Sequence, residues 1–176
     1  MRLSRHLATF FFLCLAFAVA PNARETPAAE TPIIDFGSRF LPVVARQGMV
    51  VGPERLAAEI GREILEQGGN AVDAAVATGF ALAVSYPRAG NLGGGGFMLV
   101  HLAEDNRQTL IDYRETAPAS AGRDLFLNDA GEVDRQRTYF SHQAAGVPGT
   151  VAGLVLAQAR YGTLPLKQVM APAIAL

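Results

Sequence analysis

The sequence is nearly free of cysteine and has no tryptophan: one cysteine, Cys14, stands among its 176 residues. Disulfide frameworks and zinc sites built from thiolates need several cysteines, so the composition excludes both. An excess of one charge is also missing, because 15 basic residues are balanced by 16 acidic ones. Nucleic-acid binding leaves a basic stripe and a membrane-surface role leaves a polybasic segment, so neither kind of partner is expected.

Residues 1–20 have the pattern of an export signal. Two arginines are followed by a phenylalanine-rich apolar run over residues 7–20, as in secretory signal peptides. The run is shorter than the roughly 20 apolar residues of a spanning helix, so cleavage is favoured over an uncleaved anchor and no stable membrane span is expected. Small residues predict cleavage between positions 18 and 23. Cys14 lacks the preceding small residues of a lipoprotein site, and the product is expected in the periplasm or outside the cell.

The region after the signal changes character near position 43. Residues 21–42 are rich in proline, alanine, glutamate and threonine, which predicts a flexible tether. Residues 48–52 form a short apolar run between glycines, which indicates a small buried strand. Pro53 suits the first position of a helix, and the apolar spacing that follows predicts an amphipathic helix ended by the glycine pair at 68–69.

A mixed pattern of helices and strands continues through the chain. Asn70 can cap a helix over residues 71–84, and because this helix is apolar on every side it is expected to be buried. Residues 97–102 and 108–113, separated by a polar turn, predict an antiparallel hairpin. The fold class is therefore α/β (α+β).

The last third of the chain predicts two more helices. Residues 134–137 are charged and indicate a solvated segment, whereas residues 146–149 and Pro165 stand where the two helices would begin. The apolar pattern of the second is still running at Leu176. We therefore expect residues 43–176 to be the front portion of a larger domain.

A glycine cluster is the most unusual local feature, with Gly90 followed by Gly93, Gly94, Gly95 and Gly96. Phosphate-binding loops are glycine-rich, but they follow a strand, open a helix and often include a lysine. Here a predicted helix precedes the loop, a predicted strand follows it, and no lysine is present. Composition favours a tight loop packed against the alanine-rich helix at 71–84.

Arg114 follows the second predicted strand and lies between Asp112 and Glu115. A guanidinium in this place can grip a carboxylate with two parallel hydrogen bonds, or it can belong to a structural ion pair, which residue types alone favour. The three histidines have no metal-ligand spacing, and no serine stands in a nucleophile elbow. The residues themselves thus indicate an exported α/β piece with a candidate carboxylate anchor.

Several collinear blocks resemble the γ-glutamyltransferases, also called glutathione hydrolases. The resemblance begins near Gly48, extends to the end of the chain, and includes the blocks at residues 68–77, 87–98, 112–118, 146–153 and 161–166. It implies an N-terminal-nucleophile hydrolase fold, an α/β/β/α sandwich that is incomplete in this chain. It also implies a precursor that cuts itself into large and small subunits.

The chemistry implied by the resemblance is γ-glutamyl transfer. The new N-terminal threonine of the small subunit attacks a γ-glutamyl amide, such as that of glutathione, and water or an amino-acid or peptide acceptor resolves the ester. Such a threonine is activated by its own amino group. No metal or organic cofactor is implied.

The resemblance assigns Arg114 to the α-carboxylate of the γ-glutamyl group. Asp112, Glu115 and the four consecutive glycines are then supporting residues. The nucleophile is expected beyond position 176, so no catalytic residue is assigned within the chain, and the chain alone is expected to be inactive. A related exported acylase or γ-amide hydrolase, and a non-catalytic truncated remnant, are the alternatives.

Overall fold

The computed structural model describes residues 42–176. The predicted export signal, its cleavage site and almost all of the predicted tether lie outside that part. The helices and strands below belong to one compact unit from Val44 to Leu176. Between residues 42 and 176, no helix combines the length and the apolar character needed to cross a membrane.

Helix α1 (Arg55–Glu66) is amphipathic, as its spacing predicts, and buries Ala57, Ile60 and Ile64. The prediction that Pro53 opens it is wrong. The Glu54 carboxylate accepts hydrogen bonds from the backbone N–H groups of the two residues beyond Arg55, and it therefore caps a helix that begins two residues after Pro53. Gly68 follows with a φ of +89°, which confirms a glycine stop in the left-handed conformation.

Helix α2 (Ala71–Ser85) begins at the predicted cap. The Asn70 side chain accepts from the N–H groups of Val72 and Asp73, and Asp73 accepts from the Asn70 N–H in return, which completes a capping box. Burial on every side is wrong for this helix. Ala71 and Ala75 are exposed on one side, where they line a groove, and Val84 is exposed on the opposite side near the end of the helix.

Asp73 also ties α2 to the far end of the chain. Its side chain is fully buried, and it accepts hydrogen bonds from Gln158 Nε2 at 2.6 Å and Thr163 Oγ1 at 2.7 Å, as well as from the N–H groups of Thr163 and Leu164. Burial alone would raise the pKa of Asp73, but these hydrogen bonds from Thr163, Gln158 and the backbone outweigh it and lower the pKa below the usual range. An ionised carboxylate is thus part of the core.

Strands β1 (Phe97–Leu102) and β2 (Arg107–Asp112) form the predicted antiparallel hairpin. One face turns inward, where Val100 and Ile111 are buried. The other face is apolar and exposed: Phe97, Leu99 and Leu110 are 56%, 69% and 61% accessible. Leu99 lies directly across from Leu110, so a continuous apolar surface, here named the outer hairpin face, remains in contact with solvent.

Residues 48–52 are not a buried strand. Val50 is half-buried against α1, but Met49 and Val51 are 50% and 83% exposed. The alternation is strand-like, yet no other backbone among residues 42–176 pairs with this run. An apolar pattern shows that a segment can be extended, but a strand also needs a hydrogen-bonded neighbour.

Helices α4 (Thr150–Tyr161) and α5 (Leu166–Ala175) complete the core, and both pack on α2. They begin directly after the predicted openings at residues 146–149 and at Pro165. The solvated segment predicted at 134–137 is confirmed, since none of its residues is buried. It also has an order that was not predicted, because Asp134 accepts from two backbone N–H groups and caps the short helix α3 (Arg135–Phe140). The charge pattern alone does not reveal this cap, in which a carboxylate accepts from the first N–H groups of the helix.

Candidate functional site

The three polar residues predicted at the end of the hairpin lie together. Arg114 stands two residues beyond β2, and its Nε donates to Glu115 Oε2 at 3.1 Å. Asp112 Oδ1 instead accepts from the Arg114 backbone N–H at 3.0 Å. Glu115 therefore contacts the guanidinium, whereas Asp112 holds the backbone that bears it.

The guanidinium is available to a ligand. The Arg114 side chain is 67% exposed, and among residues 42–176 only Glu115 receives a hydrogen bond from it. That bond uses Nε, so both Nη atoms are unoccupied within the described part. An exposed pair of this kind adds little to stability. Its chemical effect is to fix the guanidinium plane while two donors point outward, which suits a carboxylate.

The backbone on either side of Arg114 is fixed by hydrogen bonds. The Tyr113 N–H donates to Gly96 O at 3.0 Å, and the Gly96 N–H donates to Tyr113 O at 3.3 Å. Thr116 forms the same kind of reciprocal pair with Val147, at 2.8 and 3.3 Å. Arg114 thus lies on a short stretch anchored at both ends, so the base of its side chain has little freedom.

The glycine cluster approaches this stretch closely. A Cβ on Gly95 would lie 2.5 Å from Tyr113 O and 2.7 Å from Glu115 N, distances that backbone atoms cannot relieve without moving. None of the four consecutive glycines has a positive φ, so the need for glycine here is one of space. The expectation that the cluster packs against the alanine-rich helix is wrong for these residues. Gly90 alone of the named glycines contacts α2, at Leu82.

The loop also joins the hairpin to α4. The carbonyl of Gly94 accepts from the N–H groups of Gly149 and Thr150, at 2.9 and 3.0 Å. Gly149, the residue before the helix, has no side chain with which to cap it. A carbonyl of the glycine loop therefore accepts from the first N–H groups of the helix. In other helices these groups donate to side chains or to water.

Tyr113 is the residue that sequence reasoning missed. Its half-buried ring lies where a Cβ on Gly153 would overlap it, and about 3.0 Å from where a Cβ on Gly96 would be. Burial raises the pKa of its hydroxyl. The spacing of Gly149 and Gly153, one helical turn apart, was the available signal, since two small residues on one helix face permit a close neighbour.

Cofactor and metal ligands do not gather around Arg114. Within residues 42–176, no three histidine, cysteine, aspartate or glutamate side chains lie close enough to share a metal ion. Two grooves, of 660 and 540 Å³, run along α2, the first beside β1 and the second beside Tyr113 and Leu154. Arg114 lines neither groove, so the candidate site is an open surface at the end of the hairpin.

Comparison with known proteins identifies related sequences. The family model described as gamma-glutamyltranspeptidase matches residues 57–176. The glutathione hydrolase proenzyme of Escherichia coli (strain K12) is 50% identical over 166 residues, which is 93% of this chain and 27% of that protein. The acylase ACY 1 proenzyme of Pseudomonas sp. (strain V22) is 40% identical over 158 residues, or 86% of this chain and 28% of that protein.

Solved structures agree with the sequence relatives. The gamma-glutamyltranspeptidase of Helicobacter pylori matches with a TM-score of 0.73 and 48% identity, over 77% of this chain and 39% of that one. The matching gamma-glutamyltranspeptidases and acylases have the N-terminal-nucleophile hydrolase fold, which confirms the predicted fold class. This chain spans a little over a quarter of the length of the curated relatives named above.

Proposed function

This chain belongs to the gamma-glutamyltranspeptidase family, and from that premise we propose that its residues are part of an enzyme that transfers or hydrolyses γ-glutamyl groups. Glutathione and other γ-glutamyl compounds are the proposed donors. Water and amino-acid or peptide amines are the proposed acceptors. The 50% identity to a glutathione hydrolase proenzyme is the main support for this choice of substrate.

The observation that carries the proposal is the state of Arg114. Its guanidinium stands on a fixed backbone, is oriented by Glu115, and has two Nη donors unused within residues 42–176. We assign it to the α-carboxylate of the γ-glutamyl group. Such a grip would hold the γ-carbonyl at a constant distance from a nucleophile, which is the main contribution of positioning to catalysis.

The remaining parts of the enzyme are assigned by family. We place the threonine nucleophile and the small subunit outside the residues of this chain, since relatives named as proenzymes are much longer. We assign residues 1–20 to an export signal, 21–42 to a tether and 43–176 to the N-terminal portion of the catalytic domain. The protein would then act in the periplasm or outside the cell.

The test is Arg114→Lys in the complete product of the gene that encodes these residues, with γ-glutamyl-p-nitroanilide as donor. A charge-assisted hydrogen bond contributes about 1.5–3 kcal/mol, so the donor KM should rise about tenfold or more. Self-cleavage into subunits should persist. The control is Arg123→Lys, whose guanidinium is 96% exposed and is 4.0 Å from Asp124; its KM should not change. An unchanged KM in Arg114→Lys contradicts the assignment.

Acylase chemistry is the second candidate, because acylase proenzymes are 40% identical to this chain. The same gene product should be offered γ-glutamyl-p-nitroanilide and an acylated β-lactam in parallel. A higher kcat/KM for the β-lactam would favour an acylase. Residues 1–176 purified alone should release no nitroaniline, and release above background would contradict the placement of the nucleophile outside this chain.

A further inference from the structure

We propose that Tyr113 is a positioning residue for Arg114, and that its ring, seated on the first turn of α4, sets the direction in which the guanidinium points. The inference rests on the proposed function, because it concerns how the carboxylate grip is aimed.

The first support is the chain of contacts from α4 to Arg114. The Tyr113 ring lies directly over Gly153, so close that any side chain at 153 would overlap it. The backbone N–H and C=O of Tyr113 are both bound to Gly96. Arg114 is the next residue, and its own N–H is held by Asp112. The residue that seats its ring on α4 therefore adjoins the backbone from which the arginine side chain starts.

The second support is how little else holds the guanidinium. Glu115 is its one hydrogen-bond partner among residues 42–176, and most of its surface is in solvent. Glu115 follows on the same stretch of backbone, so it moves with the arginine. The fixed reference for both is Tyr113, which is half-buried between the glycine loop and α4.

The third support is the kind of contact that the Tyr113 side chain makes, which is packing and not hydrogen bonding. Within residues 42–176, the Tyr113 hydroxyl forms no hydrogen bond to another side chain or to the backbone. The surrounding glycines thus accommodate the shape of the side chain: a Cβ on Gly153 would meet Cβ, Cγ and Cδ1 of Tyr113, and one on Gly96 would meet the far edge of the ring and the hydroxyl oxygen. Phenylalanine should replace tyrosine at this position without loss, whereas a small side chain should leave a gap over Gly153 into which the strand end can shift.

The experiment uses the complete gene product with γ-glutamyl-p-nitroanilide. Tyr113→Phe should keep the donor KM within about twofold of wild type. Tyr113→Ala should raise it about tenfold while kcat changes much less, because a misaimed guanidinium binds the carboxylate less tightly in the ground state and in the transition state alike, and such a loss of uniform binding appears in KM. Self-cleavage should be unchanged.

Glycine variants test the same contact from the other side. Gly96→Ala brings a methyl about 3.0 Å from the ring and should raise KM slightly, whereas Gly153→Ala overlaps the ring and should raise it strongly. Gly122→Ala is the control, because a Cβ there meets nothing within 4 Å. These variants retain Tyr113, so they keep the inference testable where Tyr113→Ala does not fold.

Coupling to Arg114 distinguishes positioning from general damage. If Tyr113 acts through Arg114, Tyr113→Ala should add little to the KM of Arg114→Lys, because interacting residues are non-additive. Full additivity of the two KM effects overturns the inference. So does a KM in Tyr113→Ala equal to that of wild type.

Absence of turnover in the wild type would count against the proposed function alone. Crystal structures of the wild type and of Tyr113→Ala then decide the inference. A guanidinium displaced by about 1 Å or more, the scale on which placement affects rate, supports it. An unmoved guanidinium overturns it.

Discussion

The helical part and the hairpin part of the chain differ in which side chains they bury and which they expose. Among the helices, the Asp73 carboxylate is fully buried and accepts hydrogen bonds from Gln158, Thr163 and the backbone. On the hairpin, Leu99 and Leu110 face solvent, and the exposed guanidinium of Arg114 stands two residues beyond the end of β2. Buried charge is satisfied in one part, whereas apolar surface is left open in the other.

This difference teaches where stability and recognition lie. A buried carboxylate with several donors contributes strongly to a single packed arrangement, because removing one partner leaves unpaired groups in the core. An open apolar strand face with a cation at its end adds little to the stability of the chain. It is surface that a ligand or further protein can use. The predictions below test this division.

The largest effect on stability is expected from Asp73→Asn. The amide would direct an NH₂ group at the donors of Thr163 or Gln158, so at least one hydrogen bond to a charged acceptor is lost. The free energy of unfolding should fall by about 2–3 kcal/mol, as measured by urea unfolding of the purified chain followed by circular dichroism.

The matched control for that substitution is Asp112→Asn. Asp112 is exposed and accepts from one backbone N–H, so the loss should be about 0.5–1 kcal/mol. Equal losses at the two positions would contradict the proposed division between the helical and hairpin parts.

Acid should weaken the helical part through the same carboxylate. The pKa of Asp73 is lowered in the folded chain, so its contribution is complete above the unfolded pKa, about 3.9, and is lost as the pH falls through the lower folded value. The Glu54 cap, whose pKa is lowered by backbone hydrogen bonds, acts in the same direction. Urea midpoints between about pH 5 and 2 should therefore fall more steeply for wild type than for Asp73→Asn. Parallel curves would show that Asp73 does not contribute.

The smallest effect is expected on the outer hairpin face. Leu99→Thr should change the free energy of unfolding by less than about 0.5 kcal/mol, as exposed positions usually do. On the inner face, Val100→Thr buries a hydroxyl in place of a methyl and should cost about 1–3 kcal/mol. Urea unfolding of both variants compares the two faces directly. A larger loss at Leu99 would mean that the outer face is already covered in solution.

Sequence reasoning was accurate where one segment decides the outcome. The cap at Asn70, the stop at Gly68 and the polar turn of the hairpin all depend on residues within a few positions of each other. Local chemistry determines such features, so they can be predicted directly from the sequence. The α1 start was missed by two residues, because Pro53 and Glu54 are both reasonable openings and only the cap geometry decides between them.

Features that join distant segments were not predictable. The spacing of Asn70 and Asp73 indicates a cap, but nothing local shows that Asp73 also binds Thr163, 90 positions later. The closeness of Gly95 and Gly149 to Tyr113 likewise depends on how the hairpin and α4 come together. The strand predicted at residues 48–52 was wrong for a related reason, because a strand requires a hydrogen-bonded partner. Arg114 itself was found as a candidate, although its contacts needed the structure.

The run of four glycines has a consequence for how its positions can vary. Four identical letters suggest one shared constraint, but their surroundings differ. A Cβ at Gly93 would make only an ordinary contact with Asn91, at 3.8 Å, and one at Gly94 would meet the mobile end of that same side chain. At Gly95 it would meet backbone. Tolerance within the motif is therefore uneven: its first position is permissive, its third is closed, and its fourth is intermediate, because a Cβ on Gly96 would lie 3.0 Å from the Tyr113 ring.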